Sequence, residues 1–248
     1  VTTSVSLRRV IAQTRFETLA VLRNGEQLLL AVILPLIILV GLGRTEVLSS
    51  LTDLPPGISE VQYGAAGVLG VAVASIAFAG QGIQTAFDRR YGVLRQLATT
   101  PLGAAGVIWG KLGAVICVLV VQATLLLAAA GLLGLSFSTL SWPGMILSLL
   151  AGAAALVSWG VLMAGTLRPE ATLAVANLLW VLMASVGGLL FHREGMWGRV
   201  MELLPPGALG TALRASVVDG AIAWPSLGIL VAWALLGTLA ARRWFSFD

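Results

Sequence analysis

Five stretches of the chain carry no charged side chain: 27–43, 61–87, 112–167, 171–191 and 220–241. A helix that crosses the hydrocarbon of a bilayer needs about 20 mostly apolar residues. Four of the stretches have the size of one crossing. The third stretch, 112–167, is too long for one helix and holds "SFSTLSWPG" near its middle, Ser136 to Gly144, so it divides into two. The pattern predicts six spans, at 27–44, 63–86, 107–134, 144–166, 171–191 and 224–241. The first is short and contains Pro35. Lipid admits only helices or closed barrels, because no water is present to satisfy the backbone, and no period-two alternation runs through these segments. The fold class is therefore all-α integral membrane, a single transmembrane domain over 1–248 with no long linker.

Three segments between spans have structure of their own. In residues 1–26, Leu7, Val10, Ile11, Thr14 and Leu22 recur near helical spacing with Arg8, Arg9, Arg15 and Arg23 between them. This predicts an amphipathic helix in the membrane interface, or more simply a cationic anchor. In 192–220, Met196, Trp197, Val200, Met201 and Leu204 share one face, and Leu209, Leu213, Ser216 and Val217 another, around "LPPG" at Leu204–Gly207. Two short helices dipping into the outer leaflet and turning at the prolines fit this pattern; the plainer alternative is a solvated loop. A second "LPPG", at Leu54–Gly57, marks another chain reversal. The third segment, "FDRRYGVLRQLATTPLG" (Phe87–Gly103), holds Asp88, Arg89, Arg90 and Arg95, whose burial at a bilayer centre would cost on the order of 10 kcal/mol. It must lie outside the hydrocarbon. Yet Phe87, Tyr91, Leu94, Leu97 and Ala98 form an apolar helical stripe that Pro101 ends, so the sequence predicts a structured helix over 87–100. Gly92 within it costs about 1 kcal/mol relative to Ala, implying a bend or a close approach to the backbone.

Composition agrees with the span pattern: 58% of the 248 residues are hydrophobic, 10% are charged, and mean hydropathy is +0.97, outside the range of soluble domains. The cations give orientation. With the N-terminus inside, Arg8, Arg9, Arg15, Arg23, Arg89, Arg90, Arg95, Lys111, Arg168, Arg242 and Arg243 face the cytoplasm, and only Arg44, Arg193, Arg199 and Arg214 lie outside. That bias places both termini in the cytoplasm. The net charge of +4 is then a topological signal and not a nucleic-acid footprint. Residues 1–26 do not read as a cleavable signal. Fourteen Arg to one Lys, with abundant Ala, Gly and Val, suggests a GC-rich bacterial genome and a plasma-membrane address. The single Cys117 excludes a disulfide framework and reads as a small core residue.

The chain holds little chemistry of its own. Its nearest approach to a phosphate-binding loop is "GVIWGKL", Gly106–Leu112, which is one residue short, lacks the Ser/Thr after Lys and opens a span, so Gly106 and Gly110 read better as a close-packing face. A lone His192 offers no haem or zinc pair and no base for a nucleophile. No metal site is expected. Polar groups inside the spans are few: Gln81, Gln84, Gln122, Thr124 and Asn177. Such groups usually bond across helices, but Asn177, Trp180 and Met183 also combine an amide, a ring and a thioether on one turn, suiting a weakly polar substrate path. No ionisable residue falls at a span centre, which argues against an ion-coupled carrier and for an outside energy source.

The segment quoted above, with "GKL" and a long third span after it, resembles the permeases of ABC type-2 exporters, in particular those similar to daunorubicin-resistance membrane subunits. The resemblance covers the whole chain: connecting helix, six spans, re-entrant outer pair and short basic tail. It is carried most specifically by Asp88, Gly92, Leu94, Leu97, Pro101 and Leu102. It implies that 87–100 is a coupling helix docking on a cytoplasmic ATPase through Phe87, Asp88, Arg89, Arg90, Tyr91, Gly92, Leu94, Arg95 and Leu97. It also implies two such ATPase subunits, which bind ATP and Mg²⁺ while this chain binds no cofactor, and a second permease copy or homologue. An amphiphilic drug-like, natural-product or lipid substrate would move outward past Phe78, Gln81, Asn177, Trp180 and Met183. Many members of that family are acidic where this chain has Arg90 and Arg95, so individual ion pairs with the ATPase do not carry over. A non-transporting anchoring subunit, or a secondary carrier without an ATPase, would share the hydropathy.

Overall fold

The computed structural model describes residues 7–25, 29–45, 47–51, 54, 57–192 and 195–245, and its described residues form helices joined by turns, with no strand. Residues 1–6 and 26 of the N-terminal segment, Gln27 at the start of the first span, Pro55 and Pro56 of the first "LPPG", and Arg193 and Glu194 lie outside the described residues.

Helix α1, Leu7–Leu22, precedes a π-helical turn at Leu29–Ile33 that runs directly into α2, Leu34–Arg44, with Pro35, which has no N–H to donate, just after the junction. The first span thus keeps an apolar stretch of only Ala31–Arg44. Next comes the central pillar. Ser59 adopts extended backbone and its hydroxyl accepts the Gln62 amide at 3.1 Å, capping α3, Glu60–Val73. The pillar continues through a π-helical segment, Ala74–Gly80, into α4, Gln81–Arg90. Its apolar window is 83% buried, against 22% for the last helix, so α3–α4 is the element that the others surround. At 1.5 Å per residue its 31 residues extend about 46 Å, longer than the hydrocarbon is thick.

After a turn and α5, Val93–Thr99, come α6, Gly103–Leu132, and α7, Trp142–Thr166, whose start is capped by the Ser141 hydroxyl. The division of the long apolar run falls at Leu133–Ser141, as its Ser and Pro residues predict. Helix α8, Pro169–Ser185, is shorter than the predicted fifth span: Gly187 and Gly188, the latter at φ 88°, turn the chain, and Leu189 and Leu190 are buried but not helical. The segment that follows forms α9, Gly195–Glu202, and α10, Pro205–Val217. Helix α10 enters the bundle, with Ala208, Leu209, Leu213 and Val217 fully buried, and Leu209 fills the space left by Gly152 of α7. Finally α11, Trp224–Trp244, is peripheral, exposing Val231, Leu235, Leu236 and Leu239 between exposed tryptophans at both ends. Aromatic residues at the two ends of an apolar helix are placed as in membrane interfaces.

Among the described residues, four helices are long and apolar enough to cross a membrane, Glu60–Arg90, Gly106–Leu132, Trp142–Thr166 and Trp224–Trp244; Ala31–Arg44 and Pro169–Ser185 are shorter apolar helices. The turns sort into two ends. One gathers α1, the Arg89–Pro101 segment, the α7–α8 turn and Phe245, which packs on Gly165. This is the arginine-rich end. At the far end, Gln62 donates to Val217 O at 3.1 Å and to the Thr139 hydroxyl at 3.3 Å.

Candidate functional site

At the arginine-rich end, a sealed polar cluster joins three helices. Lys111 Nζ of α6 lies 2.6 Å from Asp88 Oδ2 of α4 and 3.2 Å from Glu17 Oε1 of α1. Glu17 also accepts from Gln13 Nε2 at 2.9 Å and from Gln84 Nε2 at 2.7 Å. Glu17 and Lys111 are buried. Helix α1 reaches this depth because α6 offers glycines where it crosses: a Cβ on Gly110 or Gly113 would collide with Gln13 or Thr14, and the Thr14 hydroxyl donates to Gly110 O at 3.3 Å. The spacing of apolar residues in α1 did not say which of its sides meets the bundle. Its polar side, Gln13, Thr14 and Glu17, faces the bundle, while Leu7, Ile11, Phe16 and Leu19 are exposed beside Arg8 and Arg15. The buried Glu17 carboxylate requires donors, and the bundle supplies Lys111 and Gln84 beside Gln13 of α1 itself.

The expected single helix over 87–100 is two pieces. Helix α4 runs to Arg90, Gly92 stands at φ 71°, and α5 starts at Val93. That left-handed backbone is readily adopted only by glycine, so the bend anticipated at Gly92 is realised as a break. The apolar stripe divides with it. Leu94 is buried toward α6, Phe87 and Leu97 are half-buried, and Tyr91 is 71% exposed, stacked on Phe87 at 6.2 Å between ring centroids. Arg90, Arg95 and Gln96 are exposed beside Tyr91. The neighbouring arginines tie the segment down: Arg89 Nη2 donates to Leu167 O at 2.7 Å, Arg9 Nη1 donates to Pro101 O at 2.8 Å, and Arg90 pairs with Glu170.

The predicted cavity residues do not all face one space. Phe78 and Gln81 are buried within the protomer, Phe78 in the π-helical segment against Gly160 of α7. Trp180 and Met183 are half-buried, with Trp180 Nε1 donating to Val71 O at 3.4 Å, and Asn177 is exposed on α8 with Leu178, Val181 and Leu182 around it. Gln81 Oε1 has no hydrogen-bond partner. Cys117 is exposed on α6, not in the core as its residue type suggested.

A comparison with protein-family models decides the family. The model described as ABC-2 family transporter protein matches residues 37–243, most of the chain. The chain belongs to the ABC-2 transporter family. No curated protein matches it. As an ABC-2 permease chain, it is a multi-pass membrane protein and a membrane component of an ABC transporter.

Sequence reasoning missed one buried charge of this ABC-2 permease. Arg214, counted as a cation of the outer loop, is buried on α10. Its Nη1 donates to Leu189 O at 3.1 Å, its Nη2 donates to Gly188 O at 3.0 Å, and its guanidinium carbon lies 5.8 Å from the Tyr63 ring centroid. It thereby satisfies the carbonyls that the α8 turn leaves unpaired. The available signal was its position one turn after Gly210 on the apolar face of α10, a spacing that loop composition obscured. A shallow pocket above it is lined by Phe191, His192, Trp197, Met201 and Glu202, with His192 Nδ1 3.8 Å from Glu202 Oε1.

Proposed function

We propose that this chain is the transmembrane subunit of an ATP-driven exporter, moving an amphiphilic drug-like, natural-product or lipid substrate outward across a bacterial plasma membrane. The reading rests on family membership and on one observation: a folded, charged segment, Arg89–Pro101, pinned to the bundle by Arg9 and Arg89 yet presenting Arg90, Tyr91, Arg95 and Gln96 to solvent. A hairpin that only connected two spans would need neither the pins nor the exposed ring. That surface suits docking on a cytoplasmic ATPase, with Leu94 holding it from behind and Leu97 partly so. Two ATPase subunits carrying ATP and Mg²⁺ would serve a pair of permeases, identical or homologous, made of six crossings each with both termini cytoplasmic and α9–α10 re-entrant from outside. Asn177 on the exposed face of α8 then faces the second permease, and Trp180, Met183, Gln81 and Phe78 line the route as span 2 moves against span 5.

The test is reconstitution of the permease with its ATPase in vesicles. Transport of an amphiphilic dye that requires ATP and disappears with Tyr91→Ala, while the complex still assembles, supports the reading. ATP hydrolysis that no amphiphile alters, with no dye movement, would identify an anchoring subunit. Movement without any ATPase would identify a carrier.

A further inference from the structure

Lys111 is the sole lysine of a chain that otherwise uses arginine fourteen times, and it is buried. We propose that Lys111 is a positioning residue for coupling: its ammonium is a transferable link between the ATPase-facing segment and the connecting helix α1, held permanently by Glu17 and released by Asp88 as that segment moves. The inference rests on the reading of Arg89–Pro101 as the ATPase-facing surface.

The two carboxylates are unequal. Glu17 receives Gln13, Gln84 and Lys111, and its side chain is 5% exposed; Asp88 receives Lys111, and its side chain is 21% exposed. One ammonium between two carboxylates leaves an excess negative charge, so the pair cannot both be fully satisfied, and the better-solvated member tolerates release. Asp88 is also the carboxylate that moves with the segment, since it lies four residues before the break at Gly92 on the helix that carries Arg89 and Arg90. Glu17 sits on a different helix, seated on Gly110 and Gly113, which are near Lys111 itself. Displacing the segment therefore stretches the Asp88 contact first and leaves the α1–α6 joint intact. A lysine suits this use, because a flexible stem with three rotatable donors can exchange partners, which a planar guanidinium fork resists. Lys111 does not reach the ATPase-facing surface, so its effect on coupling must pass through Asp88.

The experiment is a double-mutant cycle in vesicles holding permease and ATPase, with substrate moved per ATP hydrolysed as the readout and ATPase capture by the permease as the control. Asp88→Asn and Lys111→Gln should each lower that ratio about fivefold, with capture unchanged by Lys111→Gln, and the double variant should be no worse than either alone. Asp88→Glu should restore it in large part. Additive losses would overturn the proposal, because Asp88 would then act on the ATPase directly. Wild-type protein with no ATP-dependent transport at all would instead refute the exporter reading, a distinct failure. Should Lys111→Gln not accumulate, the unaltered complex still decides: as the only side-chain amine, Lys111 can be followed by reductive methylation. Its reactivity should rise about threefold or more between the nucleotide-free and vanadate-trapped complexes, and equal reactivity in both would overturn the proposal.

Discussion

Replacing Arg214 by Met removes a buried cation of similar length and leaves two backbone carbonyls facing a thioether. The structure sets the terms. Two charge-assisted bonds, to Gly188 O and Leu189 O, contribute about 1.5–3 kcal/mol each, and the approach to the Tyr63 ring about 0.5–2 kcal/mol. Against this stands the desolvation cost of the guanidinium, several kcal/mol, which the variant recovers. The carbonyls tip the balance, since a buried acceptor without a donor costs about 1–3 kcal/mol and the Met side chain offers none. A net loss of about 3 kcal/mol is expected, lowering the midpoint of thermal unfolding by about 6–12 °C for a chain of this size. Arg214→Lys should fall between, because one ammonium does not span two successive carbonyls as a fork does. Eight tryptophans make intrinsic fluorescence a direct assay in detergent, with variants compared at one scan rate because such unfolding is often irreversible. An Arg214→Met protein melting at or above the wild type would refute the reasoning: the bonds would then be worth less than the burial, and the charge would serve something other than stability.

A Cβ on Gly160 would lie 2.7 Å from Phe78 O, so Gly160→Ala should cost about 1–3 kcal/mol, whereas Gly41→Ala, with nothing within 4 Å, should leave the melting temperature near that of the wild type. At Gly92, φ 71° predicts a loss of about 1–2 kcal/mol for Gly92→Val and less for Gly92→Asn, read from the same melts. Tyr91→Ala should spare stability and lower ATP-dependent transport, while Leu94→Asp, placing a charge at an 8% exposed site, should lower the melting temperature before any transport measurement is meaningful. Gln81 Oε1 and Thr85 Oγ1 are both buried without partners, so the double variant Gln81→Leu with Thr85→Val should raise the melting temperature; a fall would show that both groups are satisfied in the membrane.

The helical membrane class was legible because hydropathy depends only on composition within a window, and the same windows located the long helices of α3–α4, α6, α7 and α11. The division at Ser136–Gly144 was legible for the same reason. What the windows missed was direction. Leu7 and Ile11 repeat at helical spacing whichever side of α1 meets the bundle, and only the glycines of α6, 96 or more residues away, decide that Glu17 turns inward. The stripe from Phe87 to Ala98 likewise assumed one helix, and a single left-handed residue at Gly92 removed the common face. Arg214 was read by its neighbours in sequence, but its burial follows from α10 entering between α3 and α7, a tertiary event with no local signature. Of the cavity residues, Asn177 shows the same limit: its spacing set it on one turn with Trp180 and Met183, and nothing local marked it as the exposed member of the three.

The span amides separate by what each one ties. Gln84 belongs to the Glu17 cluster at the arginine-rich end, and Gln62 holds Val217 at the far end, so both ends of the α3–α4 pillar are bonded to other helices. Gln122 of α6 donates to Ala31 O, tying the π turn before α2. Between the ties of Gln62 and Gln84 lies the π-helical segment Ala74–Gly80, and beside it, at the start of α4, Gln81 Oε1 and Thr85 Oγ1 are buried without partners. A π segment carries one residue more than the α-helical turn allows and is maintained against that cost by its surroundings, here the Gly160 and Gly82 seam with α7. The π-helical turns and the unpaired polar atoms thus adjoin near the middle of the pillar while its ends are secured. Under the coupling proposed above, a force applied at Arg90 and the Lys111 cluster would run along α4 toward this segment, beside Phe78 and Gln81.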